Sequence, residues 1–497
     1  MAQPYAAILI FGYLVVVSVM GWLAGRKGKG DVDDYVAGER AFGPVVMYFV
    51  LGATLFSAYA LVGTPRRVVS SGSDVFYVLA FGSVGLVPMF YIGALVRRLG
   101  ARHGYVTQAE LIGARFESRL ITALLGLGAL VAFLPYLIIQ LRAAAIVMSQ
   151  VTGWRDPQVG AAVVAAVVSY YVVRGGVRGV GWTNVLQGIA MLIIVWGIGL
   201  WIPSKLYGSV SGMFDKVVAE HPEYLTLPGP KPTSPWRYSS EVIVSALGFT
   251  VWPHVFMKCF TARSARLVQW SVVTYPSFLF FMVPLILLGY VAVLEGGPAD
   301  ESVLLWIMDL PALDAGPVLP ALVAFAVLAA SMSTFDALLH AGASISVRDI
   351  AVSAGGWRPD PFIEARAIRV AVVGLCATAL FLLPVAESIS VFDLLLIGYD
   401  FVVQFVPVIY AGLLTRRANR VGALAGLGTG LASVALLHAS AAWAPGLHGL
   451  INPLGLNPGL LAVLANALLL GLASMWAGPQ DRSHLDDFFA TESTPAS

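Results

Sequence analysis

Between residues 329 and 349 a long apolar run takes on polar side chains. Ser331, Ser333, Thr334, Asp336, His340, Ser344 and Ser346 all precede the first arginine, Arg348. On a helix, Ala330, Ser333, Asp336, Ala337, His340 and Ser344 recur at spacings of three and four residues and share one face. A carboxylate and an imidazole midway along a membrane-length helix are costly against acyl chains, so this face is expected to meet protein, water or an ion. The stretch reads as the wall of a cation site.

A second group suits a small anion. Arg142, in the triplet Gln140-Leu141-Arg142, is the one arginine clearly inside an apolar run. Its guanidinium either grips a carboxylate through two parallel bonds or pairs with Asp393 or Asp400. Arg66 and Arg67 follow Pro65, and they either draw anions to a vestibule or snorkel to an interface. His254 follows Pro253, where an apolar run is interrupted.

The elements that must hold these residues are membrane helices. The chain has 497 residues, 58% hydrophobic and 12% charged, with a mean hydropathy of +0.82. That charged fraction is about half the soluble norm, which implies an all-α polytopic membrane protein. The net charge of +2 is spread in short basic clusters and gives no reason to expect a nucleic-acid partner. Cys259 and Cys376 form neither a disulfide framework nor a metal pattern. No nucleophile–base pair or nucleotide loop suggests an enzyme. The run 5–24 lacks a basic leader and a small-residue cleavage site, so it is expected to stay as the first span.

Runs long enough to cross a bilayer fall at 5–24, 44–70, 75–99, 120–148, 158–175, 183–203, 239–258, 270–295, 318–346, 367–386, 390–414, 421–443 and 460–478, about thirteen spans. Most of the 30 Lys+Arg, Lys27 among them, fall on the side of the even-numbered span starts, whereas Arg155, Lys205, Lys216, Lys231 and Arg237 fall opposite. The expected orientation is N-out and C-in. Gly52, Ser57, Gly63, Thr64 and Pro65 interrupt the second span; Gly248, Thr250, Pro253 and His254 interrupt the seventh. Interrupted spans five apart predict two inverted five-helix repeats, spans 2–6 and 7–11, around a midplane site. One transmembrane domain, 1–479, with repeats at 44–203 and 239–414, then precedes a short cytoplasmic tail, 480–497.

The chain resembles the sodium:solute symporter family. The motifs are Asp34-Tyr35-Val36-Ala37-Gly38-Glu39-Arg40, the run from Gly175 through Trp182-Thr183-Asn184 to Gln187, Ser333-Thr334-Phe335-Asp336, Arg348-Asp349-Ile350, Gln404-Phe405-Val406-Pro407 and Arg416-Arg417-Ala418-Asn419-Arg420. The resemblance implies a leucine-transporter-type fold in the plasma membrane (the inner membrane in a bacterium) and uptake driven by a cation gradient. Phe56-Ser57-Ala58-Tyr59-Ala60, the run from Tyr136 to Leu141 and Trp252-Pro253-His254 look most like the monocarboxylate permease branch, with lactate, pyruvate or propionate as substrate.

Carried over by motif, sodium is held by Ala53, Phe56, Ala330, Ser333 and Thr334. The family often has a carboxylate where this chain has Asn184, so a second cation or proton site would fall to Asn184 and Asp336. Ser57, Tyr59, Tyr136, Gln140, Arg142, Trp252, His254 and Gln404 are the expected substrate residues. Na+ is the expected co-transported ion, and a small molecule and the lipid bilayer are the expected partners, with no obligate protein partner evident. Uptake of an amino acid, sugar or vitamin-type acid, or coupling to protons through Asp336 or His340, are the alternatives. A membrane sensor is a further one, disfavoured by the short tail.

Overall fold

The computed structural model describes residues 4–26, 28–230 and 233–490. Lys27, Lys231 and the tail from 491 lie outside them. The described residues form helices joined by short turns. These begin with α1 (Pro4–Arg26), α2 (Val32–Ala37), α3 (Pro44–Leu55), α4 (Thr64–Ser71), α5 (Tyr77–Gly85), α6 (Met89–His103), α7 (Gln108–Arg115) and α8 (Arg119–Thr152). There follow α9 (Pro157–Tyr207), α10 (Val210–Glu220), α11 (Pro235–Phe249), α12 (Pro253–Phe256), α13 (Lys258–Thr261), α14 (Ala265–Leu279), α15 (Met282–Leu294) and α16 (Val303–Ile307). The remainder are α17 (Val318–Ile345), α18 (Pro361–Leu382), α19 (Val391–Val402), α20 (Phe405–Leu414), α21 (Arg420–Trp443), α22 (Pro445–Ile451), α23 (Pro458–Ala477) and α24 (Arg482–Phe489).

Among the described residues, nine helical stretches are long and apolar enough to cross a membrane, or ten if α19 and α20, bent by 40°, form one. The difference from thirteen runs has local causes. The expected spans 158–175 and 183–203 are two legs of α9, which breaks at Gly176 (φ 52°, ψ −151°). A side chain would strain that left-handed backbone. Beyond the break the chain turns back, so that a Cβ on Gly179 would sit 3.4 Å from the Tyr171 carbonyl. The run 239–258 is cut into α11, α12 and α13, none of membrane length by itself.

α17 is the axis of the molecule. Every residue from Ala326 to Ile345 is buried, so the polar face expected from spacing is one sector of a helix enclosed all round. α1, α3, α8, α9 and α18 surround it. Two polar layers close the bundle at opposite ends. In one, Arg348 bridges Glu110 and Glu364, Arg178 bridges Asp34 and Glu39, and fully buried Arg115 donates to the carbonyls of Gly412 and Thr415 and to Gln480. Hydrogen bonds from Lys29 and Arg178 hold the Glu39 carboxyl below the usual range. In the other, Arg66, Arg67, Arg142 and Arg237 meet Asp74, Glu241 and Glu301. α8 links the two, carrying Arg142 about 35 Å, at 1.5 Å per residue, from Arg119.

Candidate functional site

Two helix breaks face each other in the middle of the bundle. α3 ends at Phe56, whose φ of −93° and ψ of 77° leave the helical region, and the chain resumes as a π-turn over Tyr59–Gly63. α11 ends near Thr250, and Trp252 is extended (φ −54°, ψ 121°) before α12 starts at Pro253. Each break exposes backbone groups that a continuous helix would satisfy internally, and each has a glutamine attending to it. Gln140 of α8 accepts the Ala58 N–H at 3.0 Å, and Gln108 of α7 donates to the Val251 carbonyl at 3.0 Å.

An enclosed cavity lies between the breaks. Ser57, Tyr59, Tyr136, Trp252 and His254 line it, as do Phe81, Tyr275 and Tyr399, which the sequence reading did not single out. Its volume open to water centres is about 30 Å³, room for about two waters. Even a three-carbon acid enters only when a wall moves. The walls are aromatic, with Trp252 packed on Tyr136 and Tyr399 at centroid distances of 5.2 and 5.3 Å. His254 is the exception in chemistry. It is 1% exposed, and neither ring nitrogen has a hydrogen-bond partner among the described residues. Orphaned buried nitrogens are rare, and they mark a place where a ligand or water completes the bonding.

Beneath the first break is a cluster of neutral oxygens. Ser333 donates to the Ala53 and Ala330 carbonyls, both at 2.9 Å, and Thr334 donates to the Thr54 carbonyl at 2.9 Å. Ala53, Ala330, Ser333 and Thr334 are fully buried. Phe56 sits at the break itself, with its ring against the cavity. Such a set can coordinate a desolvated monovalent cation, because a cation takes carbonyl and hydroxyl lone pairs without requiring a second buried charge.

One step away, Asp336 accepts from Tyr171 (2.8 Å), Thr183 (3.2 Å) and Asn184 (3.2 Å). Thr54 in turn donates to the Asn184 amide oxygen at 3.5 Å, so hydrogen bonds run from the oxygen cluster to the carboxylate. Asn184 and Asp336 thus belong to one constellation. Lys258, 4% exposed, is the cation whose charge acts on Asp336, and it pairs with no carboxylate within salt-bridge distance among the described residues. His340 is engaged elsewhere: its Nε2 donates to the Tyr35 carbonyl at 2.9 Å.

Three residues expected at the substrate are turned away from the cavity. Gln140 spends its amide on Ala58 and on the Tyr136 carbonyl, tying α8 to the break. Gln404 donates to the carbonyls of Asp400 and Gly459, fastening α20 to α23. Arg142 donates to the Ile389 carbonyl at 2.6 Å and faces Glu301 at 3.4 Å. Neither acid proposed as its partner is used, because Asp400 pairs with His438 at 2.9 Å and Asp393 accepts from Ser390. Among the missed residues, Thr54 and Tyr171 carry no motif of their own. Lys258 looked like an ordinary charge at a helix end.

The sequence model of the sodium:solute symporter family matches residues 35–430. Curated relatives include a monocarboxylate transport permease of Rhizobium johnstonii, 25% identical over 93% of this chain and 94% of that one. A monocarboxylic acid transporter of Corynebacterium glutamicum is 24% identical over 98% and 94%. The sodium/pantothenate symporter of Escherichia coli is 27% identical over 92% and 94%. Among solved structures, a Na+-coupled sialic acid symporter superposes with a TM-score of 0.79 at 16% identity, covering 96% of this chain and 98% of that one. The nucleobase-cation symporter Mhp1 gives 0.59 at 15% identity, covering 91% and 98%. The fold is therefore of the leucine-transporter type. The chain belongs to the sodium:solute symporter family, a family of multi-pass secondary transporters rather than enzymes, for which sodium is the co-transported ion.

Proposed function

We propose that this member of the sodium:solute symporter family imports a short monocarboxylate, such as lactate, pyruvate or propionate, with sodium by alternating access. The observation that carries the reading is His254, a buried imidazole with both nitrogens unpartnered among the described residues, in an aromatic cavity beside a helix break. A small acid offers a carboxylate to such a donor and a short apolar tail to Trp252 and Tyr136. The names of the Rhizobium and Corynebacterium relatives point the same way. The Escherichia coli relative carries pantothenate, a larger carboxylic acid, which supports a vitamin-type acid as the second reading.

Ala53, Ala330, Ser333 and Thr334, with the Phe56 carbonyl at the break, hold the sodium ion. Asp336 with Asn184 forms an adjoining site for a second cation or a proton. Sodium in the first site draws α3 toward α17, which shapes the cavity and raises substrate affinity. By linkage, substrate tightens sodium by the same factor. Thirteen crossings with N-out, C-in orientation put Arg348, Arg178 and Arg115 in the inner layer and Arg67, Arg142 and Arg237 in the outer one. Spans 2–6 and 7–11 form the inverted repeats, and the chain lies in the plasma membrane. The test is uptake of labelled lactate, pyruvate, propionate, pantothenate, proline and glucose into proteoliposomes under an inward sodium gradient, an inward proton gradient, or neither. Sodium-driven accumulation of a short acid is expected. Accumulation driven by protons alone would move the coupling role to Asp336.

A further inference from the structure

Outside the cavity, Arg67 of α4 is buried, 9% exposed, and underused. Its one hydrogen bond among the described residues runs from Nη2 to Asp74 at 2.7 Å, and its Nε has no partner and no solvent. The Phe392 ring of α19 covers its face, with Cζ 3.5 Å from the ring centroid. The guanidinium edge therefore remains as the place for an in-plane partner, and five N–H donors in a fork suit a carboxylate there. Glu241 of α11 half fills that role. One of its oxygens is held by Arg237, while Oε2 has no hydrogen bond among the described residues and stands 3.9 Å from Arg67.

The same spot lies one side chain away from the cavity. Phe392 packs on Tyr59 at 6.1 Å, and Tyr59 lines the cavity. The Tyr59 hydroxyl is buried without a partner among the described residues, and the Phe392 ring packs against both Tyr59 and Arg67. Across this layer stand four arginines (66, 67, 142, 237) and three carboxylates (74, 241, 301), an excess of one positive charge.

We infer that Arg67, with the Tyr59 hydroxyl, forms an outer subsite that takes the carboxylate of the incoming acid by displacing Glu241 before the acid reaches His254. The inference rests on the monocarboxylate reading and names the residue that selects for the anion. Asp74 keeps the guanidinium oriented during the exchange, and Phe392 is the partition between the two stations. No bond is made or broken beyond the hydrogen bonds exchanged.

The test measures initial rates of sodium-driven propionate uptake in proteoliposomes for wild type, Arg67→Gln, Arg67→Lys and Glu241→Gln. Tryptophan-fluorescence titrations of the purified proteins with propionate and propionamide accompany it. Arg67→Gln is expected to raise the half-saturating propionate concentration about tenfold or more, the loss of one charge-assisted bond, with maximal rate and half-activating sodium unchanged. It also loses the preference for propionate over propionamide, and Arg67→Lys falls between. Glu241→Gln removes the competing carboxylate and lowers half-saturation, an effect opposite in sign to that of a purely structural defect. If Arg67→Gln does not fold, Glu241→Gln decides alone: an unchanged or raised half-saturation overturns the subsite. A lower maximal rate with unchanged half-saturation in both variants would make the cluster a structural latch and leave the carboxylate transport intact. Wild-type uptake of a neutral solute with no propionate binding would overturn the subsite and the monocarboxylate reading together.

Discussion

The two helix breaks are alike in backbone and opposite in chemistry. At the first, the chain presents the carbonyls of Ala53 and Thr54 to hydroxyls of α17. At the second, Trp252 and His254 turn rings toward the cavity, and the freed Val251 carbonyl is covered by Gln108. An interrupted helix is thus a neutral framework, and the neighbouring helix decides what it does. Opposite Ser333 and Thr334 it gathers carbonyl and hydroxyl oxygens, the donor set that a hard cation takes. Opposite Tyr136 and Tyr399 it borders an aromatic-walled cavity.

The largest effect that would break this division is expected at Asp336. Asp336→Asn removes the charge that three neutral donors hold, and the half-activating sodium concentration should rise about 100-fold, or about 2.7 kcal/mol. The double change Asn184→Asp with Asp336→Asn returns the charge to the same constellation and should recover most of that loss. A double variant as poor as the single one would separate Asp336 from the ion. Next, Ser333→Ala and Thr334→Ala should each raise half-activating sodium about tenfold while leaving substrate half-saturation at high sodium alone. Uptake against sodium concentration checks both.

On the other side of the comparison, His254→Phe should raise substrate half-saturation about tenfold with sodium activation preserved, measured in the same proteoliposomes. The glutamines test the framework of the two breaks through stability rather than affinity. Gln140→Leu and Gln108→Leu each leave one buried backbone group unpaired and should cost about 1–3 kcal/mol of stability, read as a lowered melting temperature in detergent. Gln140→Leu, lying beside the ion cluster, should also weaken sodium activation, whereas Gln108→Leu should not.

What could be read ahead of the structure followed from local pattern. Glycine and proline at 52–65 and 248–254 announced both breaks, because neither residue sustains a helix quietly. The spacing of Ser333, Thr334 and Asp336 announced a polar sector, because three-to-four periodicity is intrinsic to a helix. Side-chain direction was not legible where the partner is far along the chain. Gln404 is committed to Gly459, 55 residues later, and Arg142 to Glu301, 159 residues away. Phe81, Tyr275 and Tyr399 are indistinguishable in sequence from aromatics that face lipid. Lys258 follows an apolar run and looked interfacial, yet α13 carries it inside.

The contacts of the residues that flank α24 bear on the order in which the molecule is assembled. Arg115 bonds Gln480 across 365 residues, and Arg102 meets the Ala490 carbonyl across 388. During synthesis at about 5–20 residues per second, Gln480 follows Arg115 by some 20–75 s, and Ala490 follows Arg102 by about as long. Until then Arg115 relies on still other late arrivals, the carbonyls of Gly412, Thr415 and Ala418. For most of its biogenesis the chain therefore carries an open polar end with an unclaimed guanidinium. A nascent chain stalled before residue 412 would lack every one of these hydrogen-bond partners of Arg115.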